Sequence, residues 1–263
     1  MEHSETSREA LAAYRRGVAF HRKRCLSDAM RCYEQALQLD PPREPDPGET
    51  TLILRHAPRL FTSPDEPLPL KDVGAILHPE LPLIGYHLFW EDDIDFPANS
   101  DPCDHEVAWV ALDDSWKRVS RVYTCYHGVV LTLTEAADEA MLNDGRPRVD
   151  VQWGKHGLLP CGWREGLGLV VADMRSTFGR LHDEGCRNAD HPLARSWPHS
   201  FEGDWEDFVD LSSEVDPRVL LRRNGMMMVG RLANAIIDWY FLRYNFWPKY
   251  SWPDLKGAGG GID

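Results

Sequence analysis

The sequence predicts an α+β protein: an antiparallel β-sandwich core, a helical hairpin in front of it and a long C-terminal helix behind it. Three observations carry this. Residues 7–40 repeat small and aromatic side chains at helical spacing. Residues 83–153 hold short runs rich in Val, Leu, Tyr and Trp, split by turn signals. From Pro217 onward the apolar residues return to a helical period.

Composition sets the limits. The 263 residues are 43% hydrophobic and 27% charged, ordinary for a globular chain of one or two domains. With 29 Lys+Arg against 42 Asp+Glu, the net charge of −13 argues against wrapping nucleic acid or docking on an anionic membrane through a basic patch. It suits a soluble protein able to hold a cation. The start, Met1-Glu2-His3-Ser4-Glu5, has neither a basic region nor an apolar stretch, so no secretory signal is expected. The apolar stretches of residues 219–247 are broken by Arg222, Arg223, Arg231, Asp238 and Arg243, so no membrane span is expected. Six scattered cysteines, Cys25, Cys32, Cys103, Cys125, Cys161 and Cys186, show no CxxC spacing. Free thiols and a cytoplasmic location follow as expectations.

In the first segment, Ala10, Ala13, Tyr14 and Gly17 fall on one helical face. Ala29, Tyr33 and Ala36 repeat the spacing after a turn near Leu26-Ser27. Gly17, Phe20, Ala29, Tyr33, Ala36 and Pro41 resemble a single tetratricopeptide repeat. One such hairpin cannot bury its own face. It is therefore expected to pack on the main domain, the alternative being half of a docking surface for a protein partner through residues 7–41. Residues 41–50, with four prolines, read as a linker. The expected domains are 1–45, a tetratricopeptide-like hairpin, 51–250, the β-sandwich with its C-terminal helix, and 257–263, a flexible tail.

Beyond the linker, strands are expected at Leu83–Trp90, Glu106–Leu112, Val119–Tyr126, Gly128–Leu133 and Val149–Trp153. The turn signals between them are Pro97-Ala98-Asn99, Asp113-Asp114 and Asn143-Asp144-Gly145, with a helix at Thr134–Leu142. Residues 179–200 read as a long loop over the domain. A long helix is expected from Pro217 through Leu220, Met227, Leu232, Ile236 and Tyr240, ending before Pro248. Within it, Met226-Met227-Met228 reads as core packing, the alternative being a ligand-contacting patch.

Three histidines stand at strand ends: His105 opening one, His127 and His156 closing two others. Strand ends share a rim, so the three could converge there. Glu91-Asp92-Asp93-Ile94-Asp95 and Asp104 supply carboxylates beside them. Imidazole with carboxylate suits zinc, iron or manganese, and carboxylate with water suits magnesium or calcium. The expected metal ligands are His105, His127, His156, Asp92, Asp93 and Asp104, and the expected catalytic groups His105, Glu106, His127 and His156. In a strand, Asp104 and Glu106 face one side and His105 the other. All three then cannot ligate one ion. His105-Glu106-Val107-Ala108-Trp109 lacks the second histidine of a zincin helix. Gly162–Gly168 has no nucleotide-binding spacing, and no GxSxG occurs. Cys125 beside His127 admits a Cys–His nucleophile, but no third group orients it.

The order of these segments resembles the necrosis- and ethylene-inducing protein family and the related vacuolar-protein-sorting-type domains. The resemblance rests on His56-Ala57-Pro58-Arg59-Leu60 with Asp65-Glu66-Pro67-Leu68-Pro69, then the Tyr86–Trp90 strand running into acid. The His105–Trp109 motif, His127-Gly128 and a Gly-Arg-Pro-Arg-Val strand ending at His156 follow. It spans roughly residues 51–165. It implies a β-sandwich with a divalent cation at one rim, near Asp92 or Asp93 and His105, beside a polar head-group pocket. Where that family has Asp-Trp-Glu, this chain has Ala108-Trp109-Val110, with Glu106 as the nearest substitute. Gly203-Asp204-Trp205-Glu206 lies far downstream and reads as a surface feature, or as a segment folding back to the site. The membrane-damaging role of secreted members does not transfer.

The expected function is an intracellular enzyme acting on a small-molecule substrate through rim histidines and carboxylates with a divalent metal cation, by hydrolysis, elimination or proton transfer. One alternative is a non-catalytic head-group or partner-binding module with a docking hairpin. Another is metal-free acid–base catalysis by His105 and Glu106.

Overall fold

A computed structural model of the chain describes residues 5–94, 103–184, 201–223, 225–241, 248 and 252–253. Helices α1 (Glu5–Arg22) and α2 (Leu26–Leu39) form the expected hairpin. Gly17 lets them close: a Cβ there would come within 2.6 Å of the Tyr33 ring. The hairpin does not stand alone. Ala235, Leu232 and Trp239 pack into its apolar cluster, and Tyr33 meets the buried carboxyl of Asp238. A later segment of the same chain thus covers part of the hairpin's apolar face.

The segment read as a linker is only half extended. Asp46 caps α3 (Pro47–His56): its side chain accepts from Glu49 N while Glu49 reaches back to Asp46 N. Asp-Pro-Gly-Glu is a capping box with proline in the first turn, a helix start rather than a spacer. Just before it, Arg43 exchanges both backbone hydrogen bonds with Val229.

Then come β1 (Arg59–Thr62), β2 (Asp72–Leu77), β3 (Leu83–Trp90), β4 (Asp104–Leu112), β5 (Val119–Tyr126), β6 (Val129–Thr132), α4 (Thr134–Leu142), β7 (Arg148–Val151) and β8 (Leu158–Pro160). These are followed by α5 (Trp163–Gly166), α6 (Gly168–Glu184), α7 (Trp205–Phe208), β9 (Ser213–Val215), α8 (Arg218–Arg223), β10 (Met226–Val229) and α9 (Ala233–Phe241). Two sheets result, β10-β2-β3-β4-β5-β6 and β8-β7-β1-β9. Neither is purely antiparallel, contrary to expectation. β10 runs parallel to β2, and β1 runs parallel to β7. Parallel neighbours need a crossover. Between β1 and β7 that crossover is most of the larger sheet plus α4. One apolar cluster takes side chains from both sheets, including Tyr86, Leu88, Val110, Leu60, Val149 and Leu158, with Ile53 from α3 and Ala136 from α4.

Two expectations about the last third are corrected. The single long helix from Pro217 is instead α8, a strand and α9. Gly225 breaks it: a Cβ there would lie 2.5 Å from Leu221 Cα and 2.8 Å from Val73 O. The three methionines form β10 beside β2, with Met227 on the principal core and Met226 on a smaller cluster with Ile76 and Ile237. Met226 and Met227 thus pack from a half-buried strand. Residues 179–184, read as loop, continue α6, whose Val170, Met174, Thr177 and Leu181 make a buried stripe at helical spacing. The rest of that loop, the Pro97-Ala98-Asn99 turn and the 257–263 tail lie outside the described residues. Among the described residues, no helix is long and apolar enough to cross a membrane.

Candidate functional site

Register decides which rim residues meet. Across β3 and β4, Trp90 stands opposite Asp104, Phe89 opposite His105 and Leu88 opposite Glu106. With side chains alternating, Asp104 and Glu106 share the inner face with Tyr86, Leu88 and Trp90. His105 lies on the outer face with His87 and Phe89. The six expected ligand residues therefore distribute over separate environments.

The inner centre is built on His156. Its Nδ1 donates to Asp104 Oδ2 at 2.8 Å, its Nε2 lies 3.3 Å from Glu66 Oε1, and its ring stacks on Trp90 at 4.3 Å. His156 has no exposed surface. Burial alone would push its pKa down; the hydrogen bonds and charges of Asp104 and Glu66 outweigh that and hold it up at about 9. His156 is thus an imidazolium at neutral pH, clamped between two carboxylates.

The loop that presents it is tightly tied. Gln152 N donates to Gly157 O and His156 N to Gln152 O, both at 3.0 Å, which places His156 in the left-handed region at φ +55. Gly154, at φ +62, donates to Glu66 Oε2 at 2.9 Å while its carbonyl accepts from Ile94 N. A Cβ on Gly154 would press Ile94 at 2.9 Å. Lys155 pairs with Asp93 at 2.5 Å, and Asp92 is buried with its Oδ1 accepting from Asp93 N. So Asp93, Asp104 and Glu66 each face a side-chain cation.

His127 stands apart, one residue past β5. Its Nε2 lies 2.7 Å from Gln152 Oε1 and its Nδ1 3.4 Å from Asp173, which also accepts from Tyr126 Oη at 2.7 Å. Burial is the main reason its pKa is lowered. Cys125 donates its Sγ to Val129 O at 3.7 Å. On the outer face His87 Nδ1 and His105 Nε2 share a hydrogen bond of 3.0 Å, their rings stacked at 5.2 Å. Burial pushes His87 down to about 3, so it stays neutral.

Among the described residues, no group of three or more His, Cys, Asp or Glu side chains is arranged to hold a metal ion. A hard divalent cation needs several uncommitted oxygens. Here Asp104, Glu66 and Asp93 are engaged by His156 and Lys155. The donor set, as arranged, does not fit the cation that the family resemblance implies, and no chemical step is derived through one.

Beside Glu66 a cavity of about 450 Å³ opens, lined by Asp65, Glu66, Trp153, Phe201, Glu202 and Asp207 together with Pro64, Pro67 and Gly203. The Gly203–Glu206 segment does fold back to the rim. Asp204 caps α7, accepting from Glu206 N and Asp207 N, which brings Gly203 and Asp207 into the wall. Sequence reasoning did not single out Glu66, Lys155, Gln152 or Asp173 as site residues. Glu66 alone carried a signal, inside the Asp65-Glu66-Pro67 stretch of the resemblance.

Neither a known protein family nor any curated protein matches the sequence. Solved structures do. The chain is similar to a protein described as a toxin fold for microbial attack and plant defence, at 16% identity and a TM-score of 0.36 over 44% of this chain and 71% of that one. It is also similar to NLPPya in complex with glucosamine, at 17% identity and 0.33 over 44% and 69%. A third match is a necrosis and ethylene inducing protein from the causal agent of cocoa's witches' broom disease, at 17% and 0.33 over 62% and 94%. The last of these bears the name of the family that the motifs resemble.

Proposed function

We propose that this protein is a non-catalytic binding module whose rim cavity takes a small polar head group carrying a positive charge, an amino sugar or an organic ammonium. The observation that carries it is the cavity beside Glu66: among the described residues, four carboxylates and the rings of Trp153 and Phe201 line it, with no Lys or Arg. Acid walls with aromatic rings suit an ammonium group, through charge and through the negative face of the rings. The volume falls in the range of small-molecule sites.

The buried network beside it supports binding over turnover. A general base needs an uncommitted lone pair near its substrate. His156 is instead charged, buried and hydrogen-bonded through both ring nitrogens. His105 is buried on the outer face of the sheet, away from the cavity wall. Such a network fixes Glu66 and Gly154 in place and gives the cavity a rigid floor.

Titration calorimetry with glucosamine and choline tests the reading, with glucose as the neutral control; glucosamine is the ligand of one fold neighbour. Both amines are expected to bind, glucose at least tenfold more weakly, and Glu202→Lys to abolish amine binding. Equal affinity for glucose and glucosamine, or no binding of either amine, sinks it.

A further inference from the structure

At the opposite end of β1 and β7 lies a second cavity, of about 430 Å³, whose walls are Arg55, Arg59, Arg146 and Arg218 with Asn143 and Asp144. The elements that assemble it are distant in sequence. Arg55 lies in the last turn of α3, Arg59 opens β1, Arg146 precedes β7 in the turn after α4, and Arg218 opens α8. Nothing in the expected chemistry of the protein uses them. In a chain of net charge −13, four guanidiniums around one cavity need a reason.

Their local partners do not supply it. Arg146 gives its Nε to Ala57 O and its Nη2 to Pro58 O and Asp216, leaving its Nη1 outside these bonds. Arg218 holds the same Asp216 through Nε and Nη2, so two guanidiniums share one carboxylate. Arg59 pairs with Glu139 through Nη2 and comes only within 4.0 Å of Glu214. Its Nε is buried without a hydrogen-bond partner. Arg55 is exposed and in no ion pair or hydrogen bond among the described residues. Among the described residues, the one acid in the wall itself is Asp144, at φ +55 in the turn. Like charges held together cost free energy unless an anion answers them. Guanidinium forks match the oxygens of a phosphoryl group two at a time.

We propose that this cavity binds a multiply charged phosphoryl ligand, held by Arg55, Arg59, Arg146 and Arg218. The ligand class is a di- or polyphosphorylated small molecule or the phosphorylated head group of a lipid. The cavity is larger than a single phosphate needs, and Asn143 and Asp144 offer a polar wall to hydroxyls that such ligands carry. The site is independent of the acidic cavity and does not rest on the ammonium reading.

Titration calorimetry with inorganic pyrophosphate at low and high salt tests one source, and sedimentation with phosphatidylcholine vesicles with and without a phosphoinositide tests the other. Binding is expected in at least one arm, weakening as salt rises. Arg55→Gln and Arg218→Gln are each expected to weaken it about tenfold or more, the scale of one lost charged hydrogen bond. A melting curve on each variant confirms that the fold persists. Binding of pyrophosphate alone assigns a soluble ligand, and binding of phosphoinositide vesicles assigns a lipid. Absence of binding in both arms at low salt overturns the proposal. So does binding that survives both substitutions, or that Glu202→Lys at the other cavity weakens equally.

Discussion

The parallel pair β1 and β7 has two ends that the chain treats in opposite ways. At the carboxyl ends, where β1 runs into Asp65-Glu66 and β7 into Gln152–His156, the His156 cation is buried and answered by Asp104 and Glu66, with the acidic cavity opening beside it. At the amino ends, where Arg59 and Arg148 open the strands, guanidiniums crowd an open cavity, and Arg146 and Arg218 share the one carboxylate of Asp216. Buried charge must be neutralised at once, because an ion without a partner in low dielectric is costly. Charge at an open wall is tolerated unpaired, and remains available to a ligand. The same two strands thus position a buried ion-paired centre beside an acidic cavity at one end and a basic cavity at the other.

The largest effect expected from breaking this contrast is at His156. Replacing it with alanine leaves Asp104 and Glu66 buried without their shared cation, a loss of about 3–5 kcal/mol by analogy with broken buried pairs. Urea denaturation reads it directly. A loss under about 1 kcal/mol would show that the centre is no more structural than the arginine end.

Next comes pH. His156 is held near 9 in the fold against 6.5 ordinarily. Its stabilisation is therefore complete below about 6.5 and is lost as pH rises through about 9. His87 and His78, pushed by burial to about 3 and about 4, act in the other direction. The unfolded chain protonates them below about 6.5 while the fold resists, so stability also falls on the acid side. Denaturation midpoints across pH 5 to 10 should show both limbs, and His156→Gln should remove the alkaline one.

The smallest effects sharpen the contrast by their absence. Arg55→Gln should leave the melting temperature unchanged, since the side chain is exposed and unpaired among the described residues. Chelator should likewise leave it unchanged, because His156 and Lys155 already face the rim carboxylates. A stoichiometric divalent ion in the purified protein, with a lower midpoint after chelation, would restore the metal reading of the rim.

What the sequence shows and what it hides follow one physical division. Leu83–Trp90, Val119–Tyr126 and Thr134–Leu142 are legible to the residue, because short apolar and aromatic runs with flanking turns, or an alanine-rich face, are local signals. β1, β9 and β10 have three or four residues each, and their pairing is with distant segments. No local window holds that information. The site divides in the same way. His156 and Asp104 are visible as chemistry, and the alternation that separates Asp104 from His105 is readable from their adjacency. That His156 would be answered by Glu66, ninety positions earlier, is a fact of the crossover between β1 and β7. The arginine cavity was illegible for that reason too, since it joins four separated elements.

The late arrival of β10 sets a schedule for synthesis. Until Met226–Val229 leaves the ribosome, one edge of β2 presents unpaired N–H and C=O groups, and the hairpin lacks the later segment that covers part of its apolar face. At ordinary elongation rates that interval is on the order of ten seconds. Chains stopped before residue 226 are expected to accumulate in the insoluble fraction, and a nascent chain of this protein is a natural client for a holding chaperone.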